Sequence, residues 1–429
     1  MLGFRTWRFF VRSALLSPLF VMFAISACSD STVGPAGSGQ SPARTALPRE
    51  LTAAEHKVID ASNAFALSLF ARINVAQRDS NVFISPLSAS MALGMALNGA
   101  AGQTFDQMRS ALQFGTASQQ EINDGYKSLI ALLSSLDPAV KMQIANAIWY
   151  QSNFPFNQSF LDDGKTFFDA EIRGLNFADV PASLAAINGW VNTKTNGKIP
   201  TILDSIDPDL VMFLVNAIYF NGSWRTKFDP ALTTDAQFQP ATGAAQAVKL
   251  MHRNGKMHYA ETSTFQAVDL PYGDSSFTMT VVLPKQGQTV ETLAASLTST
   301  AWQTLAASFV PTTVDLFLPK LKLSYERQLK PDLQALGMLA AFVPNGADFT
   351  KMSTTRGRDL YVKFVKQKTF VDVNEEGTEA AAVTGIGIGV TSAPLTVTMR
   401  VDRPYIFVLR ERLSGTVLFV AKIARMPAA

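Results

Sequence analysis

Residues 373–395 read VNEEGTEAAAVTGIGIGVTSAPL, a soft stretch inside a C-terminal third that is otherwise rich in strand-forming residues. Ala, Gly and Thr bury little and restrain the backbone little, so composition alone describes a surface loop. The order of the residues adds a period of two. Thr378, Ala380, Ala382, Thr384, Ile386, Ile388 and Val390 share one parity, whereas Glu379, Val383, Gly385, Gly387 and Gly389 share the other. That is the alternation of a strand, small near its start and β-branched further on.

Upstream, VKQKTFVDV (365–373) has Val365, Gln367, Thr369, Val371 and Val373 on one parity and Lys366, Lys368 and Asp372 on the other. The first set is expected to face a core, which makes Gln367 a polar group in need of buried partners. Further strands are expected in LVNAIYF (214–220), TMTVVLP (278–284) and VDLFLPKLKLSYE (314–326), and in the pair YIFVLR (405–410) and TVLFVAKI (416–423) around Leu413-Ser414-Gly415. In 314–326 the apolar parity changes from Val314, Leu316 and Leu318 to Leu321 and Leu323, which predicts a bulge or bend at Pro319-Lys320. Helical signals dominate the first half. Phe65, Leu69 and Ile73 step by four, and Ser85-Pro86 has the form of an N-cap followed by proline at the first helical position. That helix should run through SASMALGMALNG and stop near Gly99, packed closely under another layer because of its Gly and Ala content.

A length of 429 residues by itself suggests two or three domains. From about Leu51 onward, however, there is no second linker, repeat or low-complexity block apart from 373–395, so one domain over 51–429 is the simplest account. With 47% hydrophobic and 17% charged residues and a formal net charge of +3, no acidic partner is demanded and no nucleic acid is expected. Basic residues are scattered, so no polyanion-activator site is expected either. No CxxC, HExxH, GxxxxGK[ST] or strand-linked GxGxxG element occurs, and His56, His252 and His258 are few for a metal or acid–base site; no cofactor is expected. A single cysteine rules out disulfides within the chain.

That cysteine ends residues 1–28, MLGFRTWRFFVRSALLSPLFVMFAISAC, which have a basic start (Arg5, Arg8, Arg12), an apolar run from Ala14 to Ile25 and small residues before Cys28. The stretch resembles a bacterial lipoprotein signal peptide, with Ile25-Ser26-Ala27-Cys28 matching the lipobox. The resemblance implies removal of residues 1–27 and lipidation of Cys28, and Ser29 after the cysteine favours the outer membrane. An ordinary secretory signal or a signal anchor are the other readings, although an apolar run of about a dozen residues is short of the roughly 20 that span a bilayer. Residues 28–50 read as the lipidated cysteine and a Ser/Gly/Pro-rich tether, with a mean reach of about 25 Å.

Residues 51–429 resemble a serpin along their whole length. The matching segments are NVFISPLSASMALGMALNGA, ANAIWYQ, INGWVNTKTNGKI, LVNAIYFNGSWRTKFDP, ADFTKM, VNEEGTEAAA and RPYIFVLRERLSGTVLFVAKI, in serpin order. The resemblance implies an α+β fold with a large central β-sheet, two further sheets and surrounding helices. It makes 373–395 the reactive centre loop, with its hinge at Glu375, Glu376, Gly377, Thr378, Glu379, Ala380, Ala381 and Ala382. A target serine protease would acylate itself on the loop, and the freed segment would enter the central sheet as an added strand, carrying the protease with it. The partner implied is therefore a protease held in a covalent acyl complex; the chain itself is expected to be a monomer and not an enzyme.

Other roles carry over residue by residue. Ser85, Ser88 and Asn216 match a polar network called the shutter, to which the family usually adds a histidine; here that position is Gln367. Trp224 and Glu375 match the breach, where the loop enters, with Lys320 as partner for Glu375. Counting from Glu375 gives Thr391-Ser392 as the reactive bond, with Val390 and Ala393 within reach, whereas counting back from Asp402-Arg403-Pro404 gives Ala393-Pro394. Every candidate is small and uncharged, which suits elastase-, subtilisin- or chymotrypsin-like enzymes better than trypsin-like ones. Two other classes remain: a serpin fold serving as a binding or structural module, and a hydrolase using Ser85 or Ser223, around neither of which a GxSxG occurs.

Overall fold

Period-four and period-two segments separate onto helices and sheets in the computed structural model, which describes residues 41–207, 209–378 and 396–427. The α-helices among these are α1 (Ala53–Ala76), α2 (Pro86–Gly99), α3 (Gly102–Ala111), α4 (Gln119–Ser135), α5 (Gln158–Phe168), α6 (Val180–Lys194), α7 (Val290–Ser296), α8 (Ser299–Ala307) and α9 (Lys330–Ala335). The strands are β1 (Val82–Ile84), β2 (Val140–Gln151), β3 (Ala170–Leu175), β4 (Met212–Ser223), β5 (Thr234–Phe238), β6 (Gln246–Glu261), β7 (Phe265–Pro271), β8 (Phe277–Pro284), β9 (Val310–Pro319), β10 (Leu321–Gln328), β11 (Lys366–Val373), β12 (Gly377–Thr378), β13 (Val397–Arg400), β14 (Tyr405–Glu411) and β15 (Val417–Ile423).

Six strands form one sheet in the order β10-β11-β12-β4-β2-β3. The rest run β1-β15-β14-β8-β7-β6-β9-β13, with β5 beside β6. The two further sheets expected from the sequence are thus continuous through the long β6. Its start pairs with β5, its middle with β9 and its last residues with β7.

Helix α1 is started by a capping box in which Thr52 and Glu55 serve each other's backbone N–H, and its Phe65, Leu69 and Ile73 are fully buried. Helix α2 begins with Ser85 as N-cap and Pro86 in the first turn, as the sequence predicts, and packs between β4 of one sheet and β15 of the other. Its glycines mark close approach: a Cβ on Gly99 would lie 1.9 Å from the Met352 side chain. The expected bend at Pro319-Lys320 is larger than a bulge. β9 lies in the nine-stranded sheet and β10 in the six-stranded one, so Lys320 is the corner where the chain changes sheets and the parity of buried residues resets.

The main core fills the space between the sheets and α1–α5. A second apolar cluster covers the outer face of the six-stranded sheet, where Trp149, Phe213, Val215 and Ala217 of β2 and β4 meet Ile187, Trp190 and Val191 of α6 and Ile202, Leu203 and Ile206 of the stretch after it.

Residues 41–50, read from composition as the end of a tether, are bonded to the body. Arg44 reaches Asp274 Oδ2 at 2.8 Å and the Leu136 carbonyl at 2.9 Å, and Arg49 binds both oxygens of Glu55 at 2.6 and 2.7 Å. Burial pushes the Glu55 carboxyl up, but Arg49, the Thr52 N–H and Ser128 outweigh it and bring the pKa to about 2. Composition could not show this, because what fixes these residues is one buried carboxylate far away in the sequence, Asp274, and one six residues on, Glu55, that only the fold buries.

Candidate functional site

The segment read from the sequence as the hinge begins in a tight turn. Asn374 N–H donates to Gly377 O at 3.0 Å, which returns the chain antiparallel to β11 as the two-residue β12. Thr378 then faces Val373 of β11 and Gly222 of β4, and Gly377 faces Ser223. Glycine is required at 377: φ is +154°, and a Cβ there would sit 2.1 Å from the Gly222 carbonyl oxygen. Thr378 is buried, with its hydroxyl 2.7 Å from Tyr272 Oη. The Tyr272 ring stacks on Trp224 at 4.4 Å, and Trp224 clamps the turn through Nε1–H to Asn374 O at 2.8 Å and its backbone N–H to Glu376 O at 2.8 Å.

Two acidic residues fix the turn from its other side. Glu375 accepts from Lys320 Nζ at 2.7 Å and from the Thr233 hydroxyl at 2.8 Å. Burial pushes its carboxyl up, but Lys320, a backbone N–H and Thr233 prevail and hold it below the ordinary carboxylate range. Glu376 pairs with Lys227 at 2.5 Å. The structure therefore brings Trp224, Lys320, Glu375, Glu376, Gly377 and Thr378 into one assembly, to which the sequence reading had not assigned Tyr272, Thr233 or Lys227. Tyr272 lies in PYGD (271–274), a turn signal whose importance shows only when the fold sets its ring against Trp224.

Beyond Thr378 lies a slot. β11 and β4 run parallel, and among the described residues they are joined only through β12. Between them is a cavity of about 240 Å³ whose lining includes Ser85, Ser88, Asn216, Gln367, Phe213 and Phe364. Gln367 meets its expected partners there: it accepts from Ser85 N–H at 3.0 Å and donates to Ser85 O at 2.7 Å. Ser85 Oγ donates to Leu418 O, and Ser88 Oγ to Asn216 O. Asn216 Nδ2 donates to Asn146 Oδ1, whereas the buried Asn216 Oδ1 has no hydrogen-bond partner among the described residues. The four residues assigned to the shutter thus share one cavity wall, with Gln367 bonded to α2 and Asn216 to β2.

Glu379, Ala380, Ala381 and Ala382 of the hinge, the candidate bond residues Val390, Thr391, Ser392 and Ala393, and Cys28 lie outside the described residues. No group of His, Cys, Asp and Glu among the described residues could hold a metal. His252 bonds Asp315 Oδ1 at 2.7 Å and stacks on Phe317, and Ser85 Oγ bonds a carbonyl, so neither takes part in a Ser-His pair.

Comparison with known proteins agrees with this geometry. The family profile described as Serpin (serine protease inhibitor) matches residues 60–426. Human serpin B8 is 34% identical over 373 residues, covering 85% of this chain and 98% of the relative. Among solved structures, the thermophilic serpin tengpin in its native state superposes with a TM-score of 0.79 at 30% identity, covering 90% of this chain and 98% of tengpin. Human thyroxine-binding globulin, solved in complex with thyroxine, gives a TM-score of 0.80 at 28% identity, covering 88% of this chain and 100% of the globulin. The profile match over residues 60–426, the 34% identity to human serpin B8 and a fold shared over about nine-tenths of the chain with these solved structures place the chain in the serpin family of serine protease inhibitors.

Proposed function

We propose that the chain is a suicide inhibitor of elastase-, subtilisin- or chymotrypsin-like serine proteases, cleaved at or within two residues of Thr391-Ser392 and acting by insertion of the cleaved loop between β4 and β11. The slot carries this reading. β12 has already entered it as an antiparallel neighbour of both strands, and the cavity continues along the line that β12 begins. Extending the register residue by residue sets Thr384 opposite both Asn216 and Gln367, and keeps every even-numbered loop residue on the face where Thr378 is buried. None of those residues is charged or larger than isoleucine. Inserting about 15 residues at roughly 3.3 Å each carries a captured enzyme some 50 Å, so the uninserted form is held by a rate.

The same reading makes the protein a lipoprotein attached to a cell envelope through Cys28, with the stretch from Ser29 to Gln40 as the free part of the tether. No helix among the described residues is long and apolar enough to cross a membrane. Mass spectrometry of the mature N-terminus, with an acylated Cys28 expected, tests this part alone.

The inhibitory part is tested by mixing the full-length chain with pancreatic elastase, subtilisin, chymotrypsin and trypsin. An SDS-resistant complex and a released C-terminal peptide starting at Ser392 are expected with the first three. Cleavage by all four with no complex favours the second reading, a binding module, for which the thyroxine-bound globulin of the same fold is the precedent.

A further inference from the structure

Residues 41–49, SPARTALPR, form no helix or strand of their own, so what holds them is their bonds to the body. Arg44 donates from its backbone N–H to Asp274 O at 2.6 Å, from Nε to Asp274 Oδ2 at 2.8 Å and from Nη2 to Leu136 O at 2.9 Å, and its own carbonyl accepts from Arg412. Leu47 packs on the main core, and Arg49 grips Glu55. Ahead of these, Ser41 O accepts from Arg225 Nη1 at 3.1 Å, and the same nitrogen donates to Gly273 O at 2.9 Å.

These contacts bring the segment to the turn that supports the hinge. Asp274 is held by Arg44, and two residues earlier Tyr272 stacks on Trp224 and meets the Thr378 hydroxyl. Gly273 leaves little slack between the two: its φ is +42°, and a Cβ there would lie 2.1 Å from Asp137 Oδ2, which also accepts from Asp274 N–H at 2.8 Å. Asp137 and Asp274 are both buried, and burial pushes the Asp137 carboxyl up; at Asp274, Ser276, Arg44 and Asp137 outweigh the same effect. Taking Arg44 away leaves a buried carboxylate short of a donor, a costly arrangement that the turn relieves by opening toward water.

We propose that residues 41–49 are a strap whose release loosens the hinge: undocking Arg44 from Asp274 frees the turn of Tyr272, and with it the hold of Tyr272 on Trp224 and Thr378. The order of release follows from the bonding. A segment without a ladder of its own opens at lower cost than the strands beneath it. A cut within the strap, or a load drawn through the chain before Ser41, therefore reaches the hinge before it reaches the core. The strap acts on the uncleaved molecule and needs no reaction at the loop, so this goes beyond the inhibitory reading and holds or fails apart from it.

Hydrogen exchange of the full-length, uncleaved chain, read by mass spectrometry, tests it with wild type, Arg44→Met, Arg44→Lys, Tyr272→Phe, and Arg44→Met combined with Tyr272→Phe. Arg44→Met is expected to speed exchange about tenfold or more in peptides spanning 271–276 and 371–378, the scale of one lost charge-assisted bond, and to leave α5 and α6 unchanged. Arg44→Lys keeps the charge and should recover part of the protection. In the double variant the effects at 371–378 should be less than multiplicative, because both changes act through one contact. Unchanged exchange at 371–378 in Arg44→Met, an equal rise along the whole chain, or fully multiplicative effects overturns the proposal. Where Arg44→Met does not fold, Arg44→Lys carries the comparison: a smaller rise at 371–378 supports the strap, and none overturns it. No protease enters the experiment, so failure of the inhibitory reading leaves its outcome intact.

Discussion

Gln367 and the backbone of Ser85 exchange two hydrogen bonds, Ser85 N–H to Gln367 Oε1 at 3.0 Å and Gln367 Nε2–H to Ser85 O at 2.7 Å. A side chain that both donates and accepts thereby ties β11 to the N-cap residue of α2 at the middle of the slot. Ser85 O also accepts from Ala89 N–H, so it keeps a partner if Gln367 is removed; Ser85 N–H has no other partner shown. Gln367→Ala should therefore cost about 1–3 kcal/mol, the range for orphaning one buried donor. Guanidinium unfolding of the uncleaved protein should show the drop, and a variant as stable as wild type would mean that water entering the slot replaces the amide.

Gly377→Ala tests the seating of β12. The new Cβ would meet the Gly222 carbonyl, a backbone atom that cannot move without shifting β4, at a φ that alanine rarely adopts. Strain of about 1–3 kcal/mol is expected, enough to lift the Asn374–Thr378 turn off Trp224. Because Trp224 is buried, stacked on Tyr272 and bonded to Asn374 O, its fluorescence should shift to the red in the variant. Unchanged emission would show that the turn holds without β12.

Acid should loosen the same turn. The Glu375 carboxyl lies below its ordinary value of 4.5, so it contributes stability that is fully present above that value and is lost as pH falls through the lower, folded-state value. Trp224 emission should be flat from neutrality down to about pH 5 and change as the pH falls further. Lys320→Met removes the neighbour that most lowers the carboxyl pKa, so its transition should move to higher pH. Superimposable curves for wild type and Lys320→Met would exclude Glu375 as the responsible group.

Residues 199–207, between α6 and β4, are tied to the β11 side by Asp204 to Lys366 at 2.9 Å and Asp207 to Lys363 at 2.6 Å, and both carboxyls are held below the ordinary range by these lysines. Such exposed pairs are individually weak and screened by salt. Asp204→Asn with Asp207→Asn should therefore leave the unfolding midpoint nearly unchanged. If residues 199–207 stay docked while the loop inserts, trapping efficiency at low salt should also be unchanged; a clear gain that vanishes at high salt would mean that they lift.

Much of the fold was legible because its signals are local. The step of four in Phe65, Leu69 and Ile73, the Ser85-Pro86 helix start and the alternation in 365–373 each appear where the sequence puts them. Pairing across the chain was legible only in part. Lys320 and Glu375, 55 residues apart, could be named as partners through the family resemblance, but the break of 314–326 into strands of two sheets could not be read from a parity change, which a bulge would also produce. Arg44, Tyr272 and Thr233 were missed because each acts through a contact with a distant segment and stands in no local pattern. The glycines of TGIGIG were visible as a parity from the start; they lie outside the described residues, and only the register of β12 against β4 and β11 bears on what they would face on insertion.

Continued on insertion, that register would give the acceptor in the slot a partner. Asn216 Oδ1 is buried and makes no hydrogen bond among the described residues, and insertion that continued the register of β12 would set Thr384, which lies outside them, opposite Asn216. In the inserted state the Thr384 hydroxyl is expected to donate to Asn216 Oδ1, so the cleaved form gains a bond that the uncleaved form lacks. Thr384→Val keeps the shape and the β-branch and removes the donor. It should leave the uncleaved protein as stable as wild type and destabilise the cleaved one by about 0.5–1.5 kcal/mol, read as a lower denaturation midpoint of the cleaved form alone. The same loss in both forms would place Thr384 in the slot before cleavage, and no loss in either would mean that the strand inserts in another register.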